Sequence, residues 1–192
     1  MPRLETERLL LRPPEFRDVG AIVTWIGDYD VAKNLASVPH PYREDDAREF
    51  VARVLEKLAA GEGFCFAVTR KLDGVFMGCC GLQLKDGQFE LGYWLGKPFW
   101  RQGYATEAAK RVVSFAFRDL KATSVWAGWF HDNPASGRVL EKLGGRHEGT
   151  APRVSLARGQ EVACHLMALT REEFGRKRPF DKLRVTETQP SC

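Results

Sequence analysis

Small and apolar residues recur at positions 105, 108, 109, 112, 113, 116 and 117, the spacing of a one-faced helix, and predict a helix starting around Gly103 and running over 104–118. Glu107, Lys110, Arg111 and Arg118 fall off that face, with Glu107 four residues before Arg111 in the order that favours a surface ion pair. Residues 44–60 carry the cleanest amphipathic pattern: Ala47, Phe50, Val51, Val54, Leu55, Leu58 and Ala59 share one face, three acidic residues open the segment and Gly61 closes it. A shorter helix is expected over 15–26. In "NPASGRVLEKLGG", Asn133 is placed to cap a helix, Pro134 to occupy its first position and Gly144 to end it.

Between these helices lie runs with strand character. "TERLLLRP" reads as a first strand stopped by Pro13-Pro14. A looser segment, 27–43, follows. "FCFAVT", "VFMGCCGLQL" and 89–95 form an antiparallel meander joined at "KLDG" and "KDGQ". "SVWAGWF" and "VACHLMALT" complete the set. Strands and helices in this order predict one α+β domain over 1–174, a mixed, mostly antiparallel central sheet flanked by helices.

Composition changes little in this picture. A hydrophobic fraction of 44% in 192 residues suits one domain with a real core. No apolar run reaches the roughly 20 residues of a membrane span, and the charged start lacks the apolar centre of a signal peptide, so a cytoplasmic protein without a membrane partner is expected. The five cysteines, Cys65, Cys79, Cys80, Cys164 and Cys192, include no C-x-x-C pair, so neither a disulfide framework nor a metal site is expected. Cys79 and Cys80 should point to opposite faces of a strand. The net charge of +4 is misleading: residues 175–192, read as a basic, disordered tail, hold five Lys/Arg against two acidic residues. About +1 remains on the rest, which speaks against a nucleic-acid partner.

The stretch "ELGYWLGKPFWRQGYATEA" holds the chemistry. A strand ends near Gly96, a turn with one glycine follows, and a helix begins. Such a turn leaves backbone N–H groups unpaired where the helix dipole favours an anion, and Gly103 lets a phosphate approach. Gly103 could instead only shape a strand-to-helix connection. The stretch has neither the Lys-Ser/Thr of a nucleoside-triphosphate loop nor the three glycines of a dinucleotide fingerprint.

Together with "TERLLLRP" and "NPASGRVLEKLGG", this stretch resembles the GNAT acyltransferase superfamily, in particular the branch of ribosomal-protein N-terminal acetyltransferases acting on alanine or serine. The resemblance spans residues 3–174. It implies acetyl-coenzyme A as co-substrate and no metal. It further implies that Arg101, Gln102, Gly103, Tyr104, Ala105 and Thr106 offer backbone N–H groups to the pyrophosphate. Trp94 and Leu95 would pair their backbone with the pantetheine arm as an added strand. Asn133 and Ser136 match the Asn-x-x-Ser that flanks the coenzyme's thiol end. Gly92 and Gly128 are candidate points for a bulge or close approach where strands part. The sequence departs from the superfamily pattern at Trp100, at Gly145, and at Leu140, which stands where a proton-donating tyrosine is often found. Ser136 or a water would then protonate the leaving thiolate.

An α-ammonium titrates near ~8, so a base must take its proton. Glu90 is the best-placed carboxylate, although a solvated, idle one would read the same, and a strand N–H could hold the oxyanion. His131 could face the cleft, whereas His165 reads as a packed histidine. Tyr93 and Trp94 read as core, and Tyr29 and Tyr42 as candidates to line an acceptor site. The expected activity is acetyl transfer to a primary amine, foremost a protein N-terminus, through a ternary complex in a monomer or homodimer. The alternatives are a small-molecule amine acetyltransferase and a non-catalytic acyl-coenzyme A sensor.

Overall fold

The computed structural model describes residues 2–176, so most of the stretch read as a tail, 177–192, lies outside the described residues. The chain runs β1 (Leu4–Glu5), β2 (Leu9–Arg12), α1 (Val19–Ile26), α2 (Tyr29–Ala32), α3 (Glu44–Ala60), β3 (Gly63–Arg70), β4 (Phe76–Lys85), β5 (Gln88–Leu95), α4 (Tyr104–Arg118), β6 (Ser124–Phe130), α5 (Pro134–Leu143), β7 (Arg146–Ser155), β8 (Gln160–Thr170) and α6 (Arg171–Arg176). Among the described residues eight strands form one sheet in the order β1-β2-β3-β4-β5-β6-β8-β7. Its neighbours are antiparallel except β5 and β6.

Alternation along the strands divides the core between the two faces of the sheet. α4 buries its apolar stripe, including Ala109, Val112, Val113 and Phe117, against Leu9, Phe66, Cys80 and Leu91. α1 and α3 cover the opposite face, with Val19, Ile22, Ala47 and Val51 on Ala67, Phe76 and Cys79. Cys79 and Cys80 thus point to opposite faces, as expected. Both are free thiols, and burial holds both well above the ordinary cysteine pKa.

"TERLLLRP" holds the strand β2, which ends before Pro13 as expected; Thr6 Oγ1 accepts from Leu9 N at 2.9 Å in the turn that joins it to the short β1 before it. Three expectations are corrected. Glu107 does not pair with Arg111. Glu107 holds Thr6 and Arg8 instead, while Arg111 is buried and its Nε donates to the Glu5 carbonyl. The 10-residue strand β7 was not expected; its Gly149 and Pro152 are sequence breakers that an edge strand tolerates. The 27–43 segment contains the short helix α2.

The parallel pair β5·β6 positions the site. It holds for two positions, Phe89↔Val125 and Glu90↔Trp126. Beyond them β5 continues with β4 to Leu95, and β6 continues with β8 to Phe130. The sheet therefore opens into a wedge just after Glu90. Gly92 and Gly128 stand two residues past the last pair, one on each side of the wedge. Neither lies at a bulge, because the irregularities fall at Val68/Thr69 and His147/Gly149. At Gly92 a Cβ would point into open space, whereas at Gly128 it would meet Cys164 Sγ at 2.8 Å. Close approach, to β8, is the role of Gly128.

Candidate active site

A single cleft of about 1280 Å³ runs through the wedge, from the start of α4 past Glu90 to the 34–39 segment. At one end, Gly103 caps α4 in the left-handed region with φ 83°, and Arg101 is left-handed too at 61°. A non-glycine residue held there marks a backbone shaped by its surroundings. The carbonyls of this loop are drawn away: Arg8 donates to Gln102 O at 3.1 Å and stacks its guanidinium 4.4 Å over the Tyr104 ring, while the Gln102 amide donates to Pro98 O at 2.7 Å. What remains facing the cleft is the N-terminus of a 15-residue helix, with its first N–H groups lacking helical partners. Arg101, Gly103, Tyr104, Ala105 and Thr106 line the cleft there; Gln102 does not.

Trp94 and Leu95 line the cleft on the β5 side of the wedge, as the strand-addition expectation requires. The Leu95 carbonyl, however, already accepts from the Trp100 indole at 2.7 Å, so that group is not open to a ligand. This gives Trp100 its place: its indole closes the turn after β5.

On the other bank, Asn133 caps α5, its side-chain oxygen accepting from Ser136 N at 3.3 Å. Ser136 lies in the first turn, and its Oγ is 2.8 Å from the Tyr93 hydroxyl, which also lies 3.0 Å from the Ser136 carbonyl. Burial pushes the Tyr93 hydroxyl above its ordinary value, and the Ser136 bond pulls it back only in part. Tyr93 is thus a functional candidate that a core reading missed; nothing in its sequence context separates it from the apolar residues around it. Leu140 is buried in the main core and contributes no polar group.

Glu90 sits at the apex of the wedge, in the same cleft. Its Oε1 accepts from Arg153 Nη1 at 2.6 Å, with both side chains largely covered. Arg153 comes from β7, so its place beside Glu90 was not readable before β7 itself. Of the two tyrosines considered for an acceptor site, Tyr42 lines the cleft and burial pushes its hydroxyl up to about 12. Tyr29 packs edge-on against His40 and does not line the cleft. His131 lies outside the cleft as well. His165 stacks on Trp129 and sits 3.3 Å from His147, which fits the packed-histidine reading. The expected acceptor segment does line the cleft at Val31 and over 34–39. It is tied to the β7–β8 hairpin by Leu156 N donating to Ala36 O and by Arg158, which bonds Lys33 O and chelates Asp132.

The N-terminus of α4, an open strand edge and a carboxylate thus share one wedge. Among the described residues no group of His, Cys, Asp or Glu could hold a metal ion, and no helix is long and apolar enough to cross a membrane. Comparison with known proteins agrees with the geometry. Residues 8–146 match the family described as acetyltransferase (GNAT) domain. The uncharacterized N-acetyltransferase p20 of Bacillus licheniformis is 27% identical over 91% of this chain and 99% of its own. A GNAT-family acetyltransferase of Bacillus anthracis superposes with a TM-score of 0.77 at 26% identity, covering 88% of this chain and 99% of that one. The ribosomal-protein-S5-alanine acetyltransferase of Vibrio fischeri shares the fold with a TM-score of 0.76 at 17% identity, covering 90% and 98%.

Proposed function

The chain belongs to the GNAT acetyltransferase family and is an acetyl-coenzyme A-dependent enzyme, and from that premise we propose that its acceptor is the primary amine of a protein N-terminus. The observation that carries this reading is Glu90, a carboxylate at the apex of the wedge, in a cleft that continues past it between the 34–39 segment and β7. An extended peptide terminus can reach a base at that depth. The fold of the Vibrio fischeri ribosomal-protein-alanine acetyltransferase is the same, so this fold accommodates a protein acceptor.

In the proposed site the backbone N–H groups at the start of α4 hold the pyrophosphate. The exposed edge of β5 from Gly92 to Trp94 takes the pantetheine arm, and Gly92 leaves room for it. Bound acetyl-coenzyme A supplies the thioester, whose acetyl carbon bonds to the amine nitrogen as its bond to sulfur breaks. Glu90 accepts the ammonium proton, directly or through a water, which frees the nitrogen lone pair. Ser136, oriented by Tyr93 and by the α5 cap, donates a proton towards the sulfur. The second nitrogen proton, lost as the amide forms, offsets that donation, so one proton leaves the site per turnover. Holding both reactants in one cleft contributes much of the rate.

The test is coenzyme A release with peptides of varied N-termini beside polyamines, free amino acids and aminoglycosides. Release with peptides, reduced ~10²-fold by Glu90→Gln with coenzyme affinity unchanged, is the expected result. Release with small amines alone would overturn the protein acceptor. Coenzyme binding with no release from any amine would favour a sensor.

A further inference from the structure

Three side chains crowd the acceptor end of the cleft around one ring. Glu90 and Trp126 are partners in the last pair of the β5·β6 ladder and stand side by side on one face of the sheet. Arg153 reaches over that face from β7. Its guanidinium lies 5.4 Å from the Trp126 ring centre while Nη1 donates to Glu90 Oε1 at 2.6 Å. Lys85, from the end of β4, brings its ammonium 5.7 Å from the same ring. All three charged residues line the cleft.

The local charge balance is then two cations to one carboxylate. Of the carboxylates lining the cleft from α3, Glu49 pairs with Arg53 and Asp46 accepts from Arg43 N at the helix start. An acceptor bringing only an ammonium would add a third positive charge around Glu90. An acceptor bringing a carboxylate close to its ammonium would add no net charge and would give the second cation a partner. Glu90 and Arg153 touch, so a ligand can meet both only if its own opposite charges lie within a few ångströms. That is the spacing between the α-amine and the side-chain carboxylate of an N-terminal Asp or Glu, or between the two charges of a free α-amino acid. A carboxylate on the second residue lies about one residue, ~3.5 Å, further along the chain.

We propose that Arg153 is the specificity residue of this enzyme and selects an acceptor whose reactive amine carries a carboxylate on the same residue. This rests on the N-terminal reading for its preferred source, an acidic first residue. Arg153 turns one fork of its guanidinium from Glu90 to the ligand carboxylate while stacked on Trp126, and the ligand ammonium takes its place at Glu90. Guanidinium geometry suits this exchange, because Arg153 can hold two carboxylates at once through different N–H groups.

The test compares three acceptor sets with the full-length enzyme. They are peptides starting with Asp or Glu, the same peptides starting with Asn or Gln, and the corresponding free amino acids. The acidic peptides should exceed their amide twins roughly 10- to 100-fold in kcat/KM, the loss expected for one charged hydrogen-bonding partner. Arg153→Met should collapse that ratio towards one, and Arg153→Lys should restore it in part. Because the ratio is taken within each variant, a general loss of activity does not mimic the result. Titration calorimetry of the acidic peptide into enzyme saturated with coenzyme A should show the same preference without turnover. Free acidic amino acids acting alone would keep the selection and overturn the N-terminal reading. Peptides acetylated with no acidic preference, or a preference that survives Arg153→Met, would overturn this proposal and leave the N-terminal reading standing.

Discussion

The Tyr93 hydroxyl and Ser136 Oγ lie 2.8 Å apart across the wedge, one on β5 and the other in the first turn of α5. The two banks of the cleft are joined at the point where Asn133 and Ser136 are proposed to meet the thiol end of the coenzyme. Ser136→Ala should lower kcat by ~10²-fold or less, with the KM for acetyl-coenzyme A little changed, because the lost proton acts only as the carbon–sulfur bond breaks. Tyr93→Phe should give a smaller fall, and the double variant should lose no more than Ser136→Ala alone. Steady-state kinetics of the three variants checks this; additive losses would show that the two hydroxyls act independently.

Gly103 caps α4 in the loop proposed to hold the pyrophosphate. At φ 83° a side chain is strained whatever the space around it, and the added Cβ would come 3.4 Å from Nη2 of Arg8, whose Nη1 holds the loop at Gln102 O. Gly103→Val should weaken coenzyme A binding at least ~10-fold, read by calorimetry, with thermal stability falling by no more than about 2 kcal/mol.

Much of this was legible in the sequence where one face of an element is buried and the other wet. The helices 44–60, 104–118 and 134–143 follow from their stripes and caps, and the turn before α4 follows from a strand, a glycine and a helix start. Three parts were not legible. β7 is an exposed edge strand with Gly149 and Pro152, so it lacks the alternation that marks a half-buried strand. Arg153 could not be assigned without β7. The role of Tyr93 depends on a hydroxyl contact 43 residues away in the chain, which no local pattern encodes.

Glu107 binds the β1–β2 turn to α4 through Thr6 Oγ1 at 2.6 Å, Arg8 N at 3.0 Å and Arg8 Nε at 2.7 Å. Burial pushes its pKa up, but the bonds from Thr6 and Arg8 outweigh that and hold it below the usual 4.5. A depressed carboxylate contributes stability that is present above its unfolded pKa and is lost as pH falls through its folded one. Glu107→Gln should therefore be less stable than the wild type at pH 7. The gap should narrow as pH drops below ~4.5, measured by thermal melts across pH 3–7.

Arg12 and Asp18 form a bidentate pair, both bonds 2.7 Å, in which the hydrogen bonds donated to Asp18 raise the guanidinium pKa despite its burial. Asp18 also accepts from Glu15 N at 2.8 Å, fixing the turn into α1. Asp18→Ala leaves the buried Arg12 with only Glu15 at 3.5 Å and the Pro13 carbonyl, and should cost about 3 kcal/mol in urea unfolding. A cost under about 1 kcal/mol would mean that water reaches Arg12.

The central claim is that acetyl passes from coenzyme A to an α-amine at Glu90. It is tested most directly with one peptide bearing both a free N-terminus and an internal lysine, incubated with enzyme and acetyl-coenzyme A and fragmented in a mass spectrometer. The account predicts a single acetyl group on the N-terminal nitrogen, and its loss with Glu90→Gln. Acetyl on the lysine side chain, or on the N-terminus with undiminished rate in Glu90→Gln, would contradict it.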